Sequence, residues 1–557
     1  MISFNLLLFL GMMLNGILKS GYAADTQLEF KRDFSPSTLT NTAIPSIIGD
    51  RRGIIYLAQG KTVVEYDGID WRSIPVGSEV LSLDLSEEGR VYVAGPKTIG
   101  YLTPDSDGEM IFSSLSQQVP AQLKNCLGST LLVRAFAGGA AFLCESGLMV
   151  LDSNQHFQFL PAPKTFTAAA AWNGKLILGD PTSGLMELKN ESGKLSAEPI
   201  PGGNVIRART LVPLNKEALL INTIGNGIIV YKDQKWITFG NGSADFRDHS
   251  VSVVQPWLNG YAIGTFLEGV YLVDHDKGIV AHTNDREHTP SNEIYSLYVD
   301  RDQGIWAGTM KGLAYLKLKS STGVAKKTSS GIPFSAIIRE IVSTKDNTKV
   351  FGGAFYEKVG GSQALVQSKL NYRKLPFSSN ALRFNFTSNS LGDRKFLRYR
   401  TQLQGYESEW TDWSDRTFRE FTNIVWNRYA FKVQVQDKDG TVGETSTFEF
   451  EITPPWYETG WFYFSQFLIL LSLYMVAAYA RGTGKPETIS EKVNSIFISV
   501  LFGAIYSKIG LQTFLGTLSN GVGFLEILAS ATLGLLLKPM ETLLEKYLCR
   551  FKIGKPK

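Results

Sequence analysis

Ile294-Tyr295-Ser296-Leu297-Tyr298-Val299-Asp300-Arg301-Asp302-Gln303-Gly304-Ile305-Trp306-Ala307-Gly308-Thr309-Met310-Lys311-Gly312-Leu313-Ala314-Tyr315 reads as three short strands separated by two turns. Apolar residues dominate up to Val299, the polar cluster from Asp300 to Gly304 interrupts them, and a second run ends at Gly308-Thr309 before Gly312 opens a third. Asp at position 300 suits a side chain that accepts hydrogen bonds from the backbone of its own turn. The glycines suit a hairpin that needs positive φ and an abrupt reversal.

The pattern recurs upstream. One copy runs from Ile47 through Asp50 and Gly53 to Gly60, and another from Leu81 through Gly89 to Gly95. Weaker copies centre on Gly139, Gly174, Glu217 and Gly260. With Gly304, the turn positions 53, 89, 139, 174, 217, 260 and 304 are spaced by about 42 residues on average, the size of a four-stranded propeller blade. Seven such units predict a mainly β chain in which a seven-bladed β-propeller spans 24–318, with a strand within Thr26 to Phe34 completing the last blade. Closing the ring leaves no long free edge.

A Ser-, Thr- and Lys-rich linker at 319–332 separates this part from longer alternating segments at Ala381 to Thr387, Phe396 to Leu403, Tyr429 to Val435 and Thr447 to Ile452. These predict an immunoglobulin-like β-sandwich over 333–455.

The string Asp300-x-Asp302-x-Gly304-Ile305-Trp306-x-Gly308-Thr309-x-x-Gly312-Leu313 resembles the propeller repeat of two-component regulator sensors. Tyr399, Gly405-Tyr406, Trp410, Arg419, Tyr429 and Asp437 to Gly440 are similar to the three-tyrosine (Y_Y_Y) domain that follows such propellers. The family's Pro-Gly before its central Tyr is replaced by Trp426-Asn427-Arg428. In those sensors a kinase, cyclase or DNA-binding domain would follow the membrane span. Here 77 residues follow Ala480 and no His follows His288, which predicts that output passes through a separate partner protein.

Residues 1–23 read as a signal peptide, with an apolar run from Leu6 to Leu14 and small residues before Ala24, although no basic residue precedes Lys19. Trp461 to Ala480 carries no charge and is long enough to cross a bilayer, with Trp456, Tyr457 and Trp461 on the outer side and Arg481 and Lys485 following. Further spans are expected at 493–511 and 517–537, then a basic cytoplasmic tail at 538–557. These signals place the propeller and sandwich in the periplasm of a bacterium, anchored in its inner membrane. Glu526, within the last apolar run, is a candidate coupling residue because a carboxylate there must face protein or water. Net charge is only +4, which gives no ground for nucleic-acid binding. Cys126 and Cys144 bracket one strand pair, and either a disulfide or two buried thiols fits them.

No spacing of the five His or three Cys suggests a metal site, and no catalytic or cofactor motif stands out. The expected activity is therefore that of a membrane-anchored, ligand-binding receptor, with no cofactor and no enzymatic role. Trp71, Trp172, Trp236, Trp257 and Trp306 are the candidate ligand contacts; the resemblance implies a small-molecule or carbohydrate ligand, on which they could stack, and homodimerisation through the sandwich. The alternatives are a membrane-tethered propeller enzyme acting on glycans, and an envelope assembly module.

Overall fold

The computed structural model describes residues 41–462 except 137–138, 192–193, 226, 239–245, 247–249, 277, 284–288, 319–332 and 392–393, together with 28–30, 39 and five positions between 464 and 472. The expected signal peptide, the spans at 493–511 and 517–537, the basic tail and Glu526 lie outside the described residues, as do thirteen of the twenty residues of 461–480. Among the described residues no helix is long and apolar enough to cross a membrane.

The fold is mainly β. Seven antiparallel four-stranded sheets follow one another over 47–75, 82–114, 130–161, 168–199, 208–238, 251–283 and 294–318, six of them with strands in simple sequence order. The seventh takes its outermost strand from the beginning of the chain. Leu28–Phe30 pairs with Gly312–Leu318, Leu28 opposite Leu318 and Phe30 opposite Leu316.

Two cooperating forces join the sheets. Each neighbouring pair shares one apolar cluster, and the cluster that contains Trp306, Leu313 and Tyr315 of the seventh sheet also contains Ile55, Leu57 and Tyr66 of the first. Strands buried on both faces explain why the second strand of most sheets reads as an unbroken apolar run instead of alternating. Polar bonds then fix the register between sheets: Ser296 Oγ donates to Ile44 O at 2.9 Å, Val133 N to Ser82 Oγ at 3.2 Å, Arg134 Nε to Ala169 O at 3.0 Å and Thr167 Oγ1 to Ala208 O at 2.8 Å. Asn222 Nδ2 donates to Val251 O at 2.9 Å, and Trp257 Nε1 to Gln303 O at 3.1 Å. Leu83 N donates to Ser46 Oγ at 3.0 Å, so every consecutive pair is tied.

The repeated aspartates act as the turn chemistry requires. Asp50 Oδ1 accepts from Arg52 N and Ile54 N, and Asp300 Oδ1 from Asp302 N and Gly304 N, all within 3.1 Å. The glycines divide differently from expectation. Positive φ in the seventh turn falls on Gln303, at 61°, and Gly304 is needed instead because a Cβ there would overlap the Tyr315 hydroxyl. Gly308 likewise faces Ser296 Oγ and the Ile44 carbonyl at close approach.

A short helical insertion, Ala121–Leu123 and Lys124–Gly128, precedes the third sheet, and a Cys126–Cys144 disulfide pins it to the strand Gly139–Cys144.

After the linker the chain forms a sheet ordered Lys349–Phe351, Ala336–Ser343, Leu382–Ser388 and Phe418–Phe421. Facing it is a sheet ordered Arg373–Leu375, Ser446–Ile452, Asn427–Gln436 and Arg398–Gln404, with Leu403 opposite Phe431. Phe384 stacks on Phe431 at 4.0 Å, and Phe386 meets Tyr399 at 5.5 Å, so the alternating strands close a shared aromatic core. Of the three expected tyrosines, Tyr399 and Tyr429 are buried in that core while Tyr406 is exposed and lies edge-on to Phe421.

By internal contacts the structure separates into two units. The first holds the seven sheets and most of the two later ones; the second comprises 374–380, 423–428 and 451 onward. In the second, Thr453 N donates to Leu375 O and Ile424 N to Asn380 O, and Trp426 Nε1 donates to a Glu458 carboxylate oxygen.

Candidate functional site

Two features of the first unit lie side by side where the first propeller sheet meets the strand Ala336–Ser343: a buried ion cluster and a groove.

The cluster begins with an ordinary hairpin turn. Because Asp50 spends Oδ1 on its own backbone, Oδ2 is free to accept from Arg52 Nε at 2.9 Å. Arg52 then donates through Nη2 to the Tyr56 hydroxyl at 2.8 Å and through Nη1 to Gly353 O at 2.7 Å, 301 residues away. Gln363 places its side-chain amide against the same pair. From the other side Arg339, 3 % exposed, donates Nε to Asp67 Oδ2 at 2.8 Å and Nη2 to Glu65 Oε1 at 2.5 Å. Arg72 caps the arrangement by donating to Gly352 O at 3.0 Å.

Electrostatics follow from this enclosure. Burial pulls the Arg339 guanidinium down, but the Glu65 and Asp67 carboxylates more than reverse that and hold it above its usual value. Burial pushes the Asp67 carboxyl up, and Arg339 with two backbone N–H groups brings it below the usual carboxylate range. Tyr56 is held well above the usual phenol value, chiefly by burial. The shifts at Arg339 and Asp67 both favour the charged forms, so the two sit as opposite charges facing each other. It serves positioning.

Around it the later sheets touch the seventh, first and second propeller sheets. Arg301 Nη1 donates to Asn389 Oδ1 at 3.0 Å and Ser390 Oγ to Asp302 Oδ2 at 2.7 Å; Arg394 Nη2 donates to Asp67 O at 3.1 Å; Thr103 Oγ1 donates to Gly361 O at 2.8 Å.

The groove beside the cluster has a volume of about 900 Å³. Arg51 and Arg52 line it from the propeller, and Ile337, Ile338, Phe355, Leu365, Val366 and Thr447 from the later sheets.

The five candidate tryptophans are not gathered into one site. Trp306 is wholly buried, with Nε1 donating to Asp300 Oδ2 at 3.0 Å, and Trp257 is 4 % exposed, so the core encloses both and neither ring offers a face to a ligand. Trp71 stacks on Tyr66 at 4.1 Å. Trp172 and Trp236 do come together, both against Tyr231 at 6.0 and 4.5 Å, and Trp172 lines a second groove of about 450 Å³ with Lys175, Glu187 and Glu198. Among the described residues no group of three or more His, Cys, Asp or Glu could hold a metal ion.

Arg52, Glu65, Asp67 and Arg339 were not readable as a set in the sequence. Each looks like a surface charge beside a turn or within a strand, and only the fold brings Arg339 within 3 Å of Glu65 and Asp67 and sets Arg52 beside them.

Residues 289–311 match the family model described as two component regulator propeller. No curated protein matches the chain significantly. Among solved structures, the extracellular domain of the hybrid two component system BT3049 from B. thetaiotaomicron is similar at 14 % identity over 77 % of this chain and 58 % of that one, with a TM-score of 0.40. That of the one component system BT4673 from the same organism matches at 13 % over 78 % and 59 %, TM-score 0.40. A streptogramin B lyase matches at 16 % over 54 % of this chain and the whole of that one, TM-score 0.42. The chain thus spans under two thirds of the length of the two extracellular domains.

Proposed function

We propose that this chain is a periplasmic receptor anchored in the inner membrane, in which a seven-bladed propeller and an immunoglobulin-like sandwich bind a ligand and pass the signal to a separate protein. The observation that carries the reading is the buried Arg52–Arg339 cluster. A sandwich held to the first propeller sheet by charged side chains shielded from solvent, and to the seventh and second by further hydrogen bonds, moves with the ring as one body, so a ligand-induced shift of the ring reaches whatever follows the sandwich. The matched regulator repeat at 289–311 supports the same reading. Removing one partner from such a cluster leaves an uncompensated buried charge, which explains why the joint is not a loose hinge.

The experiment is site-specific photocrosslinking of the full-length protein in cells, followed by purification from membranes and identification of the captured protein. Capture of a membrane or cytoplasmic signalling protein, lost when Arg339→Met uncouples the sandwich, is the expected result. Labelling of single introduced cysteines at Lys175 or Lys438 only after the inner membrane is breached would sink the proposal, because it would place both sheets assemblies in the cytosol.

A further inference from the structure

The first strands of the seven sheets touch one another in sequence and the last touches the first, so together they surround the centre of the ring. Three successive ones break their pairing at the same place: Ala208–Pro213 passes over Arg209, Val251–Trp257 over Ser252 and Ile294–Val299 over Tyr295, each the second residue of its strand. A bulged residue is left out of the ladder, and the bulge re-aims its side chain. Backbone bonds then draw a turn up beside each bulge. Ile224 N donates to Arg207 O at 2.8 Å, Phe266 N to Ser250 O at 2.9 Å and Met310 N to Glu293 O at 3.1 Å, in every case to the residue two before the bulge.

The result is one patch at the end of the sheets opposite the turns that the later sheets grip, since Arg301 and Asp302 follow the strand Ile294–Val299 while Tyr295 lies at its start. The Arg209 guanidinium lies over the Phe266 ring, 5.8 Å from its centre, and Phe266 meets Tyr295 edge-on at 6.0 Å. The Tyr295 hydroxyl reaches the Met310 sulfur at 3.1 Å and the Glu293 carboxylate at 3.4 Å. Around this line Leu267 is 71 % exposed, Val205 72 %, Ile224 47 % and Met310 46 %. Exposed apolar side chains gathered in one place mark a surface that another molecule covers, and Arg, Tyr, Phe and Met are the residues that interface centres favour. Arg207, Arg209 and Lys311 are exposed as well, and among the described residues no carboxylate pairs with any of them, whereas Glu293 and Glu268 accept from the Tyr295 and Tyr271 hydroxyls.

The unmatched charges are thus cationic and the uncovered side chains aliphatic. A glycan would ask for open ring faces, and one face of Phe266 is already taken by Arg209. An anionic bilayer would meet Glu268 and Glu293 along with the arginines. A polypeptide segment in which Asp or Glu stands beside Leu or Phe satisfies both needs: carboxylates for the Arg207 and Arg209 guanidiniums, and bulky side chains for Leu267 and for Met310, whose flexible thioether adapts to what packs on it. We infer that this end of the ring docks an acidic, apolar segment of a partner protein, anchored on Arg209 and Leu267. The inference goes beyond the receptor reading, because the surface lies at the other end of the sheets from the joint on which that reading rests.

The test is fluorescence anisotropy of labelled peptides in which Asp and Glu alternate with Leu and Phe, titrated with the detergent-solubilised full-length protein, beside the same peptides carrying Asn and Gln in place of the acids. Vesicles containing phosphatidylglycerol, and oligogalacturonate, are titrated in parallel. Saturable binding of the acidic peptides that weakens as salt rises is expected, with the amide peptides about tenfold or more weaker. Arg209→Gln and Leu267→Ser, both at exposed positions, should each weaken the acidic peptides about tenfold or more, while Lys194→Gln, an exposed cation on the outer strand Lys194–Pro199, leaves them unchanged. Should Arg209→Gln lower the melting temperature, Leu267→Ser decides. No saturable binding of the acidic peptides, equal binding of the amide ones, or binding unchanged in both variants overturns the inference. Vesicle or oligogalacturonate binding that the two variants abolish, with no peptide bound, also overturns it and gives the face to lipid or glycan. Photocrosslinked partner capture is a separate readout: its failure leaves this docking surface standing, and failure of peptide binding leaves the receptor reading standing.

Discussion

Arg339 and Asp67 lie 272 residues apart in the chain and 2.8 Å apart in space, from Nε to Oδ2, with both side chains almost wholly shielded from water. Few contacts in the molecule join such distant segments at such electrostatic stake. Removing one partner leaves a buried charge with nothing opposite it, which typically costs about 3–5 kcal/mol. Arg339→Ala should therefore lower stability by that order in chemical denaturation. Arg339→Lys should recover little, because an ammonium cannot serve Glu65 and Asp67 at once in the guanidinium's fork geometry. A double-mutant cycle with Asp67→Asn should show coupling of about 1–3 kcal/mol; additivity would mean the pair is not a working contact.

Asp300 supplies a pH dependence. Burial raises its carboxyl from 3.8 to about 7, although Trp306 and two backbone N–H groups oppose the rise. Because the folded value exceeds the unfolded one, the folded state holds more protons between about pH 4 and 7. Stability contributed by this group is complete below pH 4 and declines as pH rises to 7, by about 4 kcal/mol in all. Asp300→Asn should flatten that part of the stability profile, measured by denaturation at several pH values. An unchanged slope would assign the dependence elsewhere.

Reduction of the Cys126–Cys144 disulfide, which closes a loop with a sequence separation of 18, should cost about 3 kcal/mol. Thermal melting of wild type under strong reductant should converge on that of Cys126→Ser without it. If reductant lowers both equally, the bond is absent in the native protein.

Gly308→Ala should also be severe. The added methyl would press on Ser296 Oγ and the Ile44 carbonyl, where the seventh sheet meets the first, and overpacking of this kind costs roughly 1–3 kcal/mol or more. Gly60→Ala makes the control: nothing lies within 4 Å of its added carbon, so its effect is confined to a positive φ of 51°. Equal losses in the two variants would rule out crowding as the cause.

Much of the fold was legible because a repeat multiplies its own signal. All seven turn positions from 53 to 304 fall at or beside the connection between the first two strands of a sheet, and the strand within Thr26 to Phe34 appears at Leu28–Phe30. The alternating segments of the later sheets were readable for a similar reason, since each has one face in the core. Ala336–Ser343 was not, because Ala336-Ile337-Ile338-Arg339-Glu340-Ile341 has no clean alternation: its Arg is directed into the propeller and buried there by partners no local pattern encodes. The tryptophans were ambiguous in the opposite sense. A large aromatic ring suits a ligand and a core equally in one dimension, and Asp300 decides for Trp306 by accepting its indole hydrogen.

A circle of sheets laid down in sequence has a single junction across which the backbone does not pass directly. Here two unrelated fasteners span it: the strand Leu28–Phe30, lent to the last sheet from ahead of the first, and the later sheets, gripping Arg301 and Asp302 on one bank and Asp67 on the other. Redundancy of this sort means that removing either fastener should leave the circle closed but burden the surviving one, whereas losing both would let the last sheet peel from the first.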